Sequence, residues 1–452
     1  NEMSISPSVG ALSNYLAKIT SMPAYNRIKN ELESFLENFS LTKNFAPKAK
    51  KLQEALKGLI VPGMFFEELG FRYFGPIDGH DFNKLIPTLK NVISLKGPRI
   101  LHILTKKGKG YKPSEGNPED FHSSSAFDIR TGVALKESKD GFGEVFAKKL
   151  IALAEIDERI TAITAAMPKG TGLNLFKEKF PSRFFDVGIA EGHAVGFASG
   201  LGKAGLKPVV AIYSTFLQRA FDQIIHDVAL QNLNVLFAID RAGAVGEDGP
   251  THHGVFDIGY LRMIPNMVCM APKDKEELED MLEFAISQNK PSSIRYPKGE
   301  AYSLGFREKV SLGKSQVLLE GKDVCIIALG SMVKEAIDCA ALLKEEGINP
   351  FLVNARFIKP LDEELLKYIG KNFKLVITIE EGNLLCGFGG AVMEFYEKED
   401  LSEKIKLIRA GFPDEFITFA SRQQLFKLYG LDAQSLKNRI KQAIREEVRL
   451  EK

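Results

Sequence analysis

Between Gly141 and Arg307, short apolar runs alternate with helical patterns, and nothing else in this sequence restricts the fold as strongly. "ITAITAAM", "FFDVGIA", "PVVAIYS", "VLFAID" and "MVCMAP" are short runs rich in β-branched or apolar residues. "GFGEVFAKKLIALAEID" precedes the first of them and carries apolar residues at three- and four-residue intervals. "LQRAFDQIIHDVALQ" separates two of the others. Runs apolar on both faces must be covered on both sides, and helices between consecutive strands make the pairing parallel. A mostly parallel sheet covered by helices is expected.

The alternation continues toward the C-terminus with "DVCIIALGS", "INPFLVNAR", "LVITIEEG" and "KIKLIRAG", separated by helices such as "MVKEAIDCAALLKEEG". The Glu/Lys-rich end, "LKNRIKQAIREEVRLEK", reads as a solvated terminal helix. Ahead of the central block come a charged helical stretch ("KNFAPKAKKLQEALKGLI"), the loop "YFGPIDGHD", the helix pattern "FNKLIPTLKNVISL" and the strand "RILHILT". A long loop rich in Gly, Lys and Pro follows, and a loop of that length is usually functional or disordered. A chain of 452 residues has room for several domains. Three α/β units are expected, at 1–130, 131–308 and 309–452.

Sixty basic against 58 acidic residues leave a net charge of +2, which gives no general electrostatic reason to expect nucleic acid or an anionic membrane as partner. No apolar run reaches the roughly 18–20 residues that span a bilayer, and no signal peptide is legible. Cys269, Cys325, Cys339 and Cys386 are scattered, without metal or disulfide spacing, and most of them read as buried small apolar groups, in a reducing compartment.

In open parallel sheets ligands bind beyond the carboxyl ends of the strands. The polar residues expected there are Glu191 and His193, then Tyr213, Ser214, Phe216 and Arg219, then Arg241, Asp248, His252 and His253, and finally Arg295 and Lys298. Glu191, at a helix start, fits a carboxylate favoured by the helix dipole or an acid sharing a proton with a ligand ring nitrogen. Phe216 fits a core residue or a stacking platform. Arg241 and Lys298 fit solvated cations or a grip on phosphate. "AVGEDGPTHHGVFD", residues 244–257, fits a surface loop or a set of His and Asp groups suited to proton transfer. In the first block, "LTKKGKGYKP" is a basic Gly-rich loop without P-loop spacing, and His80 and His122 are individually weak signals.

Together "NEMSIS", "VPGMFFEELGFRYFGPIDGHD", "TKKGKGYKP", "DVGIAEGHAV", "AIYSTFLQRAFDQIIHDVALQ", "AIDRAGAVGEDGPTHHGVFD", "IRYPKG" and "EEGNLLCGFGG", in that order, are specific. The chain resembles, over essentially its whole length, the 1-deoxy-D-xylulose-5-phosphate synthase family, which is transketolase-like. The resemblance implies three α/β domains, the first incomplete: the C-terminal part of a diphosphate-binding domain, a pyrimidine-binding domain and a C-terminal transketolase-like domain. It implies a thiamine-diphosphate- and Mg2+-dependent condensation of pyruvate with D-glyceraldehyde 3-phosphate that releases CO2. This is the first step of the methylerythritol phosphate route to isoprenoids. A homodimer in the cytoplasm, or in a plastid stroma, is implied too. By the same resemblance Glu191 contacts the aminopyrimidine, Phe216 stacks on it, and His252 and Asp248 lie near the reacting carbon. Tyr213, Arg241 and Lys298 serve the acceptor phosphate, with Lys298 where the family commonly has Arg. His122 and Lys107 serve cofactor and substrate, and Asn1 and Met3 supply magnesium ligands. The Gly-Asp-Gly start of the family's cofactor motif falls ahead of Asn1 and is not in this sequence, so an N-terminal segment is expected to be missing. The alternatives are a transketolase using ketose donors and a catalytically dead remnant with an interaction role.

Overall fold

The computed structural model describes residues 1, 3, 63–122, 124, 126–135 and 140–450. Two compact units divide the chain, 1–137 and 138–452. The charged helix expected over residues 43–60 lies outside the described residues.

In the N-terminal unit a short helix, Met64–Glu68, leads to strand β1, Arg72–Asp78, then to the helix Phe82–Ser94 and strand β2, Arg99–Leu104. The two strands pair in parallel. "YFGPIDGHD" was expected as a loop, and most of it is β1. Gly75 and Pro76 sit where the register shifts between Phe74 and Ile77, so the N–H that proline lacks is not missed by the ladder. Asp81 then caps the helix by accepting from the backbone N–H groups of Asn83 and Lys84. His80 Nε2 accepts from the Lys106 backbone N–H at 2.8 Å, a tie between two loops.

The larger unit begins with the helix Phe142–Ile156 and contains twelve strands among its described residues. These are β3 Ile160–Thr164, β4 Phe184–Asp186, β5 Lys207–Tyr213, β6 Leu236–Asp240, β7 Val268–Met270 and β8 Ser292–Arg295, followed by β9 Gln316–Leu319, β10 Val324–Ala328, β11 Pro350–Asn354, β12 Phe357–Lys359, β13 Leu375–Asn383 and β14 Lys406–Phe412. Seven form one sheet in the order β12-β7-β8-β6-β5-β3-β4, and five form a second in the order β14-β13-β10-β11-β9. All pairings are parallel except β12 with β7 and β9 with β11. Every residue of β3, β6, β8, β10, β11 and β13 is buried, as expected of strands covered on both faces.

β12 comes from the last third of the chain yet extends the central sheet. The corner before it is fixed by a buried polar cluster: Arg356 Nε donates to Glu277 Oε1 at 2.7 Å, and Asn354 Nδ2 reaches both Glu277 oxygens. "LQRAFDQIIHDVALQ" is helical as expected but changes pitch, passing through a 3-10 turn at Gln218–Ala220 and a π-helix at Ile224–Ala229. No helix among the described residues is long and apolar enough to cross a membrane.

Candidate active site

Parallel β4, β5, β6 and β8 end at the same edge of the central sheet, and each hands the chain to a polar segment there. β4 leads to the helix Glu191–Lys203, whose first residue is Glu191. Its side chain is 4% exposed and accepts a hydrogen bond from Arg219 Nη1 at 2.6 Å. The helix N-terminus and the guanidinium both turn positive charge toward that side chain. Beside Gly192, in the same turn, Gln223 Oε1 is buried without a hydrogen-bond partner.

β5 ends in Tyr213 and runs into the short helix Ser214–Leu217 carrying Phe216. Phe216 is half-buried. It lies nearly parallel to Tyr213, with centroids 5.9 Å apart, and meets the edge of His252 at 5.4 Å. The Arg219 guanidinium sits 4.9 Å from the Phe216 centroid. A planar cation thus touches both the aromatic ring and the buried carboxylate. Ser214 Oγ is also buried without a partner.

β6 ends in Asp240, and Arg241 follows at φ 57°, a left-handed conformation unusual for a side-chain-bearing residue. That turn lays the Arg241 guanidinium over the Tyr213 ring at 3.9 Å. Arg241 Nη1 donates to Asp248 Oδ2 at 3.3 Å, and Lys298 Nζ, beyond β8, donates to the same oxygen at 2.7 Å. Burial opposes ionisation of Asp248, but Lys298 and Arg241 prevail and hold its carboxyl below the usual range. Burial, opposed by Asp248 and aided by Arg241 and Lys298, lowers the His252 imidazolium, so this ring is neutral near pH 7. His252 Nδ1 lies 2.8 Å from Thr251 Oγ1. Asp240 is fully buried, and that burial pushes its carboxyl up to about 7.

Glu191, Tyr213, Phe216, Arg241, Asp248, His252 and Lys298 therefore form one connected set. His253 and Arg295, also expected on the rim, do not belong to it. His253 points inward: Nδ1 accepts from the Val245 N–H at 3.1 Å and Nε2 donates to the Thr418 carbonyl at 3.0 Å. Arg295 is buried in a two-point pair with Asp257. His193 is exposed and stacks on Phe197.

In the N-terminal unit Lys107 Nζ and His122 Nδ1 are 3.1 Å apart. Burial foremost, then the lysine charge, lowers the His122 imidazolium. The Met3 N–H donates to Asn1 Oδ1 at 3.1 Å. No group of three or more His, Cys, Asp or Glu able to hold a metal occurs among the described residues.

Sequence reasoning assigned no role to the last third of the chain. Glu381, near the end of β13, is 1% exposed and accepts from Ala244 N–H at 2.9 Å and from Arg422 Nε at 2.8 Å. Arg422 Nη2 and Ser331 Oγ donate to its second oxygen. The signal was present in "LVITIEEG", where two acids interrupt an otherwise apolar strand.

Comparison with known proteins agrees with this architecture. Residues 1–105 match the family described as 1-deoxy-D-xylulose-5-phosphate synthase, residues 141–302 the transketolase pyrimidine binding domain, and residues 313–436 the transketolase C-terminal domain. The chain is 50% identical over 449 residues to the 1-deoxy-D-xylulose-5-phosphate synthase of Caldanaerobacter subterraneus, covering 99% of this chain and 72% of that one. It is 50% identical to the Aquifex aeolicus enzyme of the same name, over 98% of this chain and 71% of the other. Among solved structures, one described as "Split gene transketolase, inactive beta4 tetramer" superposes with a TM-score of 0.62 at 31% identity, covering 68% of this chain and 98% of that one. With connected site residues on a transketolase-like fold and half of its residues shared with named synthases, the chain belongs to the 1-deoxy-D-xylulose-5-phosphate synthase family of thiamine-diphosphate-dependent transferases.

Proposed function

We propose that the connected set around Phe216 carries out the family's reaction, the decarboxylative condensation of pyruvate with D-glyceraldehyde 3-phosphate to 1-deoxy-D-xylulose 5-phosphate and CO2. The observation that carries this reading is the contact chain from Glu191 through Arg219 and Phe216 to His252, Tyr213, Arg241 and Asp248. It places a buried acid, an aromatic platform, a neutral imidazole and paired cations in one place.

The residues present fit the pyrimidine end of thiamine diphosphate. A buried carboxylate, a half-buried ring and the unpartnered Gln223 Oε1 are what a flat, hydrogen-bonding heterocycle requires. Glu191 would hold it by a hydrogen bond and Phe216 by ring contact. When bound, the cofactor supplies the carbanion that attacks pyruvate. Glu191 then shares its carboxylate between the ligand and Arg219. His252 can move a proton at Nε2, which has no hydrogen-bond partner among the described residues, while Nδ1 stays with Thr251. Arg241 and Lys298 already share one carboxylate, so a phosphate of the acceptor would sit in a field made for an anion. Tyr213, packed under Arg241, supports that grip.

Lys107 and His122 are proposed as a cofactor-binding and a catalytic residue of the N-terminal unit. For Mg2+, Asn1 and Met3 would offer two neutral oxygens. Magnesium demands near-octahedral oxygen coordination and usually a carboxylate or phosphate, so these two residues alone do not make the site, and no step is assigned to the metal. We propose further that the unit boundaries follow 1–130, 131–308 and 309–452, and that the protein is a cytoplasmic homodimer.

The test is a product assay on the purified protein with added thiamine diphosphate and Mg2+. Pyruvate with D-glyceraldehyde 3-phosphate should give equal amounts of CO2 and deoxyxylulose phosphate. Ketol transfer from a ketose phosphate without CO2 would put the protein with the transketolases instead.

A further inference from the structure

The loop that carries Asp248 and His252 is held from one side by the last third of the chain. Residues 241–257 close on themselves through Gly243 and Gly254, which exchange backbone hydrogen bonds of 2.6 and 2.8 Å. The loop then meets the last third of the chain at three places. Ala244 N–H donates to Glu381 Oε1 at 2.9 Å. His253 Nε2 donates to the Thr418 carbonyl at 3.0 Å. Asn383 N–H donates to the Val255 carbonyl at 2.9 Å. A Cβ on Gly243 would stand 2.3 Å from Glu381 Cδ, so the backbone is pressed against the carboxylate.

Glu381 is the centre of this attachment. Its carboxylate is buried and takes donors from the loop, from Arg422 and from Ser331, while its backbone carbonyl accepts from Arg295 Nη2 at 3.0 Å. Arg295 in turn reaches the Gly254 carbonyl at 3.3 Å. One residue therefore touches both ends of the loop, directly at Ala244 and through Arg295 at Gly254. The span between, 247–252, has its side-chain ties on the active-site side: Asp248 with Arg241 and Lys298. Here, too, the Thr251 carbonyl accepts from Thr215 Oγ1 at 3.0 Å.

We propose that Glu381, held by Arg422, is a positioning residue that fixes the loop carrying Asp248 and His252 from outside the active site. A buried carboxylate with this many donors is rigid, because any movement leaves a donor or a charge unsatisfied. A loop fastened at its base can present short side chains with little loss of freedom on binding. The catalytic importance of the loop rests on the function proposed above. The attachment itself does not.

Three measurements on the full chain separate these claims, using Glu381→Gln and, should that variant fold poorly, Arg422→Lys, which keeps the charge and loses one of two hydrogen bonds. Amide hydrogen exchange is the first. It should accelerate at least tenfold over 242–256, with the helix Glu191–Lys203 and β6 unchanged. Uniform acceleration across the chain, or none, would overturn the proposal. Titration of the His252 ring by NMR is the second. Its burial, and the charges of Asp248, Arg241, Lys298 and His253 around it, depend on loop position. The midpoint should rise toward the ordinary histidine value as the loop loosens, and an unmoved midpoint with a loosened loop would refute positioning of His252. Steady-state kinetics is the third: kcat should fall about tenfold as the loop carrying His252 loosens, and an unchanged kcat with a loosened loop would overturn the positioning of His252 for catalysis. If the parent chain turns over neither substrate while exchange remains local, the functional reading fails and the attachment stands.

Discussion

Glu191 and Glu381 are both buried at the ends of elements of the larger unit, and each meets an arginine, but they differ in how fully they are satisfied. Glu191 accepts one hydrogen bond, from an arginine whose side chain is 52% exposed. Glu381 accepts from a backbone N–H, a serine hydroxyl and two nitrogens of an arginine that is itself largely enclosed. A carboxylate offers about four acceptor positions. Glu381 has used them on protein donors, and Glu191 has not. On the function proposed above, the difference separates a carboxylate with acceptor positions left for a ligand from one whose positions are taken by the protein. Their nearest neighbours follow the same division. Phe216 and Gln223 around Glu191 have exposed surface or an unmet polar atom, whereas Gly243 and Gly387 beside Glu381 and Glu380 leave no room for even a Cβ.

The comparison can be broken most sharply at Glu191. Glu191→Gln should cut turnover by about 100- to 10,000-fold, the range of a lost proton-transfer group, while thermal unfolding stays within a few degrees of the parent. A large fall in melting temperature would make Glu191 structural after all. Glu381→Ala should do the reverse in stability. It leaves the Arg422 guanidinium, whose side chain is 28% exposed, without its carboxylate, which costs about 1–3 kcal/mol, readable in urea unfolding. A loss below about 1 kcal/mol would show that water replaces the carboxylate and that the site is less enclosed than drawn.

Arg241→Ala tests the acceptor side. It should raise KM for D-glyceraldehyde 3-phosphate about 10- to 100-fold, the value of one charge-assisted hydrogen bond, and leave pyruvate little affected. An effect on pyruvate alone would remove the phosphate role.

The smallest effect concerns Glu380, the neighbour of Glu381, which takes its hydrogen bonds from backbone N–H groups and feels Arg295 and Arg409 only through their charge. Burial pushes its carboxyl up to about 7, although Phe388 and Gly389 N–H groups donate to it. A carboxyl raised on folding binds its proton more tightly in the folded state. Its contribution to stability is complete below the ordinary carboxylate range and is lost as pH rises toward 7. Parent minus Glu380→Gln stability should therefore decline between about pH 4.5 and 7. A flat difference would mean that Glu380 is ionised throughout, like Glu381, whose donors hold it below the usual range against the effect of burial.

Much of the fold was legible because its signals are local. Runs such as "VLFAID" can be covered only in a two-sided sheet, and β6 and its neighbours are buried throughout. β1 was read as a loop because glycine and proline sit inside it, and only its pairing with β2 shows that they fall at a register shift. β12 escaped because three residues carry no period, and its place at the edge of the central sheet depends on a partner strand some ninety positions earlier in sequence. Of the adjacent histidines in "THHG", chemistry alone cannot choose. His253 is withdrawn by the Thr418 carbonyl, 165 positions away in sequence.

The sequence by itself determined which chemical groups stand at the strand ends, because strand, turn and helix starts follow from apolar period and residue type within a few positions. It determined the family as well, since half of its residues are shared with named relatives. Only the tertiary structure decided which of those groups are brought together and which are withdrawn into the protein. Arg295 and His253 turn inward, Glu191 keeps an acceptor in reserve, and Glu381 fastens a loop from the opposite sheet. The reason is physical. Whether a polar group is satisfied depends on donors and acceptors brought near by long-range packing, and a linear pattern does not contain those distances.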